Sequence, residues 1–213
     1  PSQDHKRIGE EDTGKNTGGM GVIAPVLRIG GEMQDEIRMK IIQPTLSALR
    51  ERGAPFSGIL YPGLKISSKG LRVLEFNARF GDPECQVYMR LLRSDLLGLL
   101  EACADGNLAG KYLEWHPGFA VNIVLASGGY PDAYKQGFPI TGIEEAEKVP
   151  GVVVFHAGTV YDETLKTSGG RVLGVSAIGD TLKQALDRAY EAVELIHFEG
   201  KYFRRDIGAK ALV

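Results

Sequence analysis

Hydrophobic residues recur at helical spacing in three parts of the chain and predict helices over about residues 32–52, 84–104 and 181–196. Gly53 stands where a C-terminal cap of the first helix belongs, and Pro44 predicts a bend or break within it. Asp95 can cap a restart in the middle of the second. The third carries its apolar residues on one stripe, which predicts packing against a core.

Short apolar runs rich in β-branched residues predict strands over residues 58–66, 71–77, 119–127, 152–160 and 171–179. The polar turn 67–70 makes the first two a β-hairpin. Strands and helices that follow one another without a repeating βα unit indicate the α+β class. The first thirty residues show only one apolar run, at 22–27, so we expect this segment to lack regular secondary structure. Such a start also suggests that the chain was cut from a longer one.

Composition narrows the class of protein. The 213 residues are 43% hydrophobic and 24% charged, which is typical of a soluble globular protein. A net charge of −2 without basic runs argues against a nucleic-acid partner, and no stretch is long and apolar enough for a membrane span. We therefore expect a cytoplasmic protein in which Cys85 and Cys103 are reduced thiols.

The segment LEFNARFGDPE, residues 74–84, offers candidate metal ligands. Glu75 and Asn77 are two positions apart in a predicted strand and therefore project from the same face, about 6 to 7 Å apart. A carboxylate and a carboxamide oxygen are hard ligands of the kind that Mg²⁺ prefers, with water and phosphate oxygens completing its shell. The alternative is a solvated strand end.

Two further polar residues follow in the same segment. Arg79 lies beyond the strand end, where a guanidinium can pair with a carboxylate or a transferring phosphoryl group. Asp82 precedes Pro83 and is expected to cap the next helix, so it needs no function to explain it.

The glycine-rich segment DTGKNTGGMG, residues 12–21, is a second candidate site. Free backbone N–H groups in such a loop can form a concave anion-binding nest, and Asn16 and Thr17 can add side-chain hydrogen bonds. The spacing to lysine is wrong for a Walker A loop. A flexible surface loop explains the segment equally well.

Several segments in the same order along the chain resemble the phosphoribosylamine-glycine ligase (glycinamide ribonucleotide synthetase) family of purine biosynthesis: QDHKR, DTGKNTGGMG, GILYPGL, LEFNARFGDPE, FHAGT and TSGGRVL. The resemblance covers essentially the whole chain. It implies the second half of an ATP-grasp domain over 1–113, followed by a small α+β C-terminal domain over 118–213. It also implies ATP, glycine and 5-phosphoribosylamine as substrates, and Mg²⁺ or Mn²⁺ as cofactor.

The same resemblance implies roles for individual residues. Glu75 and Asn77 would hold the metal ion, and Arg79 would steady a glycyl phosphate intermediate. The residues expected on the substrate side are Asp4, Lys6, Asn16, Thr17, Gly18, Gly19, Asp82 and Arg171.

The family's N-terminal domain and the first half of its ATP-grasp domain have no counterpart here, and Lys15 stands where the resemblance leads us to expect proline. We therefore predict that these residues alone do not catalyse the full reaction and need the missing N-terminal half as a partner. Two other interpretations stay open: an ATP-grasp ligase for a different carboxylate and amine, and a non-catalytic interaction module.

Overall fold

The computed structural model describes residues 1–212, which form two compact units. The first unit contains residues 1–26, 82–91 and 116–212, and the second contains 27–81 and 92–115. The sequence led us to expect a different division, into domains over 1–113 and 118–213. That division by family domain remains a prediction, because a compact unit need not follow it.

The strands of the first unit are β1 (Gln3–Asp4), β2 (Arg7–Gly9), β3 (Thr13–Asn16), β4 (Gly21–Ala24), β7 (Phe119–Ala126), β8 (Val152–His156), β9 (Thr159–Asp162), β10 (Thr164–Thr167) and β11 (Arg171–Gly179). Five of them form an antiparallel sheet in the order β1-β4-β7-β11-β8. The others pair as two hairpins, β2 with β3 and β9 with β10. The sheet therefore joins two strands from the first 24 residues to three strands from residues 119–179.

Helices cover both faces of this sheet. Helix α6 (Leu182–Leu195), capped by Thr181, packs its apolar stripe on β7 and β11, as its spacing predicts. Helix α3 (Glu84–Leu91) packs on the opposite face, against Val22, Ala24 and Ala120. Strand β7 is therefore buried along almost its whole length, and its apolar run shows no alternation. The short helix α5 (Ile143–Ala146) completes the unit.

The expectation that the first thirty residues lack regular secondary structure is wrong, because β1 to β4 lie within them. Strand β4 lies inside the sheet between β1 and β7, and its four residues are all buried. Strands of two to four residues are too short to show a period, so only the apolar run at 22–27 hinted at them. Tertiary pairing, and not local pattern, makes this segment regular.

The second unit consists of one hairpin and three helices. Strands β5 (Tyr61–Ser67) and β6 (Gly70–Asn77) form the hairpin, as predicted. Helix α1 (Gly31–Ile37) continues through a π-helical segment, Arg38–Ile42, into α2 (Gln43–Glu51), so the change of helix type falls directly before Pro44. Helix α4 (Leu96–Ala104) begins at the predicted cap, since the Asp95 carboxylate accepts from the N–H groups of Leu97 and Gly98.

Within residues 1–212, no helix is long and apolar enough to cross a membrane. Cys85 and Cys103 are free thiols, as expected.

Candidate functional site

Glu75 and Asn77 lie on one face of β6 and touch each other. Nδ2 of Asn77 donates to Oε1 of Glu75 over 3.2 Å, and the Glu75 side chain is exposed. This confirms the geometric part of the expectation, that strand periodicity brings the two side chains together. A carboxylate and a carboxamide fit a hard cation. Among the described residues, no group of three or more His, Cys, Asp or Glu is arranged for a metal, so water and phosphate oxygens would have to supply the other ligands.

Gly63 makes room for Glu75 on the neighbouring strand. It pairs with Glu75 across the hairpin, and a Cβ at position 63 would lie 2.9 Å from Cγ of Glu75. That distance is shorter than a van der Waals contact, so a side chain at position 63 would force the Glu75 side chain to shift. The glycine of the YPG segment is therefore part of the geometry of the pair.

Arg79 follows β6 in a bend, two residues after Asn77. Its Nη1 donates to the carbonyl oxygen of Phe80 over 2.7 Å, in an exposed environment. Within residues 1–212 this is the one hydrogen bond of its side chain, and a guanidinium has five N–H donors, so the group can still bind an anion.

The Thr17–Gly19 segment is not an open anion-binding nest, which corrects that interpretation. The backbone N–H of Thr17 donates to the carbonyl of Lys6, that of Gly18 to the hydroxyl of Tyr130, and that of Gly19 to the hydroxyl of Thr17. An anion would have to displace these bonds. The segment is held in place instead of being free, and Asn16 lies exposed at the end of β3 before it.

Tyr130 was missed by the sequence interpretation. Its hydroxyl accepts from Gly18 over 3.0 Å, although the two residues are 112 positions apart. The available signal was its position in SGGYP, a glycine-containing turn directly after a buried strand, where side chains often reach a site.

Arg171, at the start of β11, joins this segment to the residues before α3. Nη1 donates to the carbonyl of Gly18 (3.0 Å) and to that of Asp82 (3.1 Å), and Nη2 donates to Oδ2 of Asp82 (2.7 Å). A Cβ at Gly18 would lie 2.9 Å from Cζ of Arg171, so only glycine allows this close approach. The side chain of Asp82 accepts from Arg171 and Gln86, whereas the sequence had predicted a helix cap.

Asp4, at the end of β1, is a carboxylate whose side chain is only 9% exposed, and the nearby Glu84 is buried as well. Oδ1 accepts from the N–H of His5 over 2.7 Å, and Oδ2 lies 2.7 Å from Nζ of the half-exposed Lys6. Burial raises the pKa of Asp4 to about 6; Lys6 and the His5 N–H oppose this shift, and the nearby Glu84 adds to it.

Within the first unit, the structure therefore brings Asp4, Lys6, Thr17, Gly18, Gly19, Asp82 and Arg171 into one group. A Cβ at Gly19 would lie 2.6 Å from Cδ of Pro83 and 2.7 Å from Oδ1 of Asp4. Gly18 therefore borders Arg171 while Gly19 borders Asp4. The metal-type pair Glu75 and Asn77, with Arg79, belongs to the second unit.

Comparison with known proteins decides the family. The profile of the phosphoribosylglycinamide synthetase ATP-grasp (A) domain matches residues 1–85, and that of the C domain of the same protein matches residues 120–210. This chain belongs to the phosphoribosylglycinamide synthetase family. Its ATP-grasp portion precedes its C-domain portion, in the order that the sequence motifs indicated.

Individual members of the phosphoribosylglycinamide synthetase family are similar to this chain over nearly its whole length. The phosphoribosylamine-glycine ligase of Chlorobaculum tepidum is 51% identical over 99% of this chain and 50% of its own length. That of Synechocystis is 50% identical over 100% of this chain and 51% of its own. The crystal structure of the Thermotoga maritima enzyme superposes with a TM-score of 0.82 at 39% identity, covering 96% of this chain and 50% of that one. The chain thus spans about half the length of these relatives.

Proposed function

We propose that the polypeptide carrying these residues ligates glycine to 5-phosphoribosylamine at the expense of ATP, through a glycyl phosphate, giving glycinamide ribonucleotide, ADP and phosphate. The observation that carries the proposal is the contact between Glu75 and Asn77 on one face of β6, in a chain whose relatives bear the name of this ligase. The cytoplasm is the compartment that we propose for this activity.

The reaction needs positioning and charge neutralisation more than covalent chemistry from the protein. The glycine carboxylate is a poor acyl donor because its leaving group would be oxide, and transfer of a phosphoryl group from ATP provides a better one. The protein must therefore hold two anions, a carboxylate and a triphosphate, close together. A metal ion and an arginine are groups suited to that task.

Glu75 and Asn77 would hold Mg²⁺ or Mn²⁺. When bound, the ion would neutralise charge on the ATP phosphates during transfer. Arg79, with most of its donors unused, would meet the negative charge of the glycyl phosphate.

Arg171 is suited to the phosphate of 5-phosphoribosylamine. Within residues 1–212, its three hydrogen bonds all come from Nη1 and Nη2. The Nε–H makes none of them, so the guanidinium keeps donor capacity for a phosphate oxygen. With Asp4, Lys6, Asn16, Thr17, Gly18, Gly19 and Asp82, it would form the substrate side of the site.

We also propose that the remaining half of the ligase is a required partner. The second unit has little core of its own: of the buried hydrophobic residues described, only Ile41 and Ala102 belong to it. It exposes many large hydrophobic side chains, namely those of Leu27, Met39, Ile66, Val73, Leu74, Phe76, Leu97, Leu100, Leu108, Tyr112, Leu113 and Trp115. A surface of that kind is suited to further polypeptide.

The test uses the full-length ligase with glycine, ATP, Mg²⁺ and hydroxylamine, which traps glycyl phosphate as glycine hydroxamate. Glu75→Gln keeps the size of the side chain but removes its charge, and we expect hydroxamate formation to fall by about 10²-fold or more. The control is Glu51→Gln, an exposed carboxylate of α2, which is expected to have no effect.

Two outcomes would contradict the proposal. Trapping of a different carboxylate in place of glycine would indicate another ligase of the same fold. Absence of ADP release with every carboxylate offered would indicate a non-catalytic module.

A further inference from the structure

The step that follows glycyl phosphate formation releases a proton that needs an acceptor. When the amine attacks the carbonyl carbon, a C–N bond forms and the C–O bond to phosphate breaks, and inorganic phosphate leaves with the bonding electrons. The nitrogen would remain positively charged unless one of its protons departs. A positioned base at the amine therefore assists this step.

We propose that Asp4 is the general base that takes this proton from the attacking amine and later releases it to solvent. This inference rests on the proposed ligase function. It assigns to Asp4 a chemical task, whereas the family resemblance implies only a place on the substrate side.

The position of Asp4 relative to Arg171 supports this task. Gly18 lies against the guanidinium of Arg171, and the next residue, Gly19, lies against the carboxylate of Asp4. The two charged groups thus border adjacent residues of one segment. 5-Phosphoribosylamine carries its phosphate and its amine at opposite ends of a single ribose, so a molecule whose phosphate binds Arg171 would place its amine within the length of one ribose from that guanidinium.

The surroundings of Asp4 favour a base over a purely structural carboxylate. Its charged neighbours are Lys6 from the segment after β1 and Glu84 from the start of α3. Burial outweighs Lys6, so the pKa rises to about 6. The group is then ionised at neutral pH but binds a proton more readily than an exposed aspartate, which suits a base that must both accept and release one.

The neighbouring His5 is not available for the same task. Its Nδ1 lies 3.0 Å from the carbonyl of Gly21, which requires a proton on that nitrogen, and Nε2 accepts from the N–H of Gly208 over 3.1 Å. The residue is 5% exposed, and burial lowers its pKa. Both ring nitrogens are therefore engaged within the fold.

The experiment measures the two half-reactions of the full-length ligase separately in Asp4→Asn. We expect turnover that depends on 5-phosphoribosylamine to fall by about 10²- to 10³-fold, because the general base is removed. Glycine hydroxamate formation should stay within about 2-fold of the unchanged enzyme, since that half-reaction does not use the amine. Its persistence also shows that the variant is folded.

Further measurements distinguish a base from a positioning residue. Asp4→Glu should recover part of the lost turnover, and added formate should raise the turnover of Asp4→Asn but not that of the unchanged enzyme. The control variant is Asp162→Asn, which alters an exposed carboxylate paired with Lys166. It should behave as the unchanged enzyme does in both assays.

The proposal is overturned if Asp4→Asn keeps its full amine-dependent turnover, if it loses both half-reactions together, or if formate has no effect. Failure of the ligase function itself looks different, because the unchanged enzyme would then form no glycine hydroxamate at all.

Discussion

At the scale of single residues, the buried Asp4 carboxylate should make the fold less stable at neutral pH. Its pKa is about 6 in the folded protein and 3.8 in the reference state, so the stability present below pH 3.8 is lost as the pH rises through 6. Asp4→Asn removes this penalty. We expect its free energy of unfolding to exceed that of the unchanged chain by about 1–3 kcal/mol at pH 7.5.

The measurement is urea unfolding of this chain and of Asp4→Asn at pH 7.5 and pH 4. Most of the difference should vanish at pH 4, where Asp4 is already protonated in the fold. A variant that is less stable than the unchanged chain at pH 7.5 would show that the ion pair with Lys6 outweighs desolvation.

The residues of the candidate site were predictable from sequence to different extents. The contact between Glu75 and Asn77 follows from the two-residue period of a strand, which is a local rule. The satisfied N–H groups of Thr17–Gly19 could not be predicted, since the acceptor for Gly18 is a hydroxyl 112 positions away. The contact of Asp82 with Arg171 could not be predicted either, because the two residues are 89 positions apart in sequence.

At the scale of elements, three segments meet at Arg171. They are the start of β11, the Thr17–Gly19 segment, and Asp82 just before α3. In the full-length ligase, we expect Arg171→Lys to raise the KM for 5-phosphoribosylamine by about 10-fold or more, because an ammonium group cannot reproduce this planar fork of donors. Glycine hydroxamate formation should be unchanged.

The control for this substitution is Arg188→Lys, which alters an arginine of α6 that donates to the carbonyl of Ile178. It should leave the KM for 5-phosphoribosylamine as it is. An equal loss in both half-reactions for Arg171→Lys would indicate a general loss of folded structure instead of a loss of substrate binding.

Most long elements were predicted well and short ones were not, but the strand predicted over 152–160 divides into β8 and β9, which belong to different sheets. The hairpin β5–β6 and the helices α3, α4 and α6 carry enough residues to show a period or a cap. The strands β1 to β3 have only two to four residues each; β1 pairs with β4, and β2 pairs with β3 in a short irregular hairpin. Local sequence cannot report such pairing.

At the scale of the whole molecule, the two units should differ in how well their amide groups are protected. The first has one large and one small core cluster, whereas the second buries few hydrophobic side chains. In this chain alone, we expect hydrogen exchange to be faster in α2, α4 and the β5–β6 hairpin than in β7, β11 and α6, because few buried contacts resist local opening.

Adding a polypeptide that supplies the rest of the relatives' length should slow exchange in the second unit, while the amides of β7 and β11 stay as they were. Equal protection of the two units in the chain alone would contradict this expectation.

The hydrogen bonds that link the beginning of the chain to its last residues bear on how the protein is made. The Gly208 N–H donates to His5, Tyr202 donates to the carbonyl of Ile8, and the buried Arg204 donates to that of Arg7. The partners in these bonds lie about two hundred residues apart in sequence, so the ribosome synthesises them at different times. These three hydrogen bonds therefore cannot all form until translation has passed Gly208, although β1 and β4, and β2 and β3, can pair earlier.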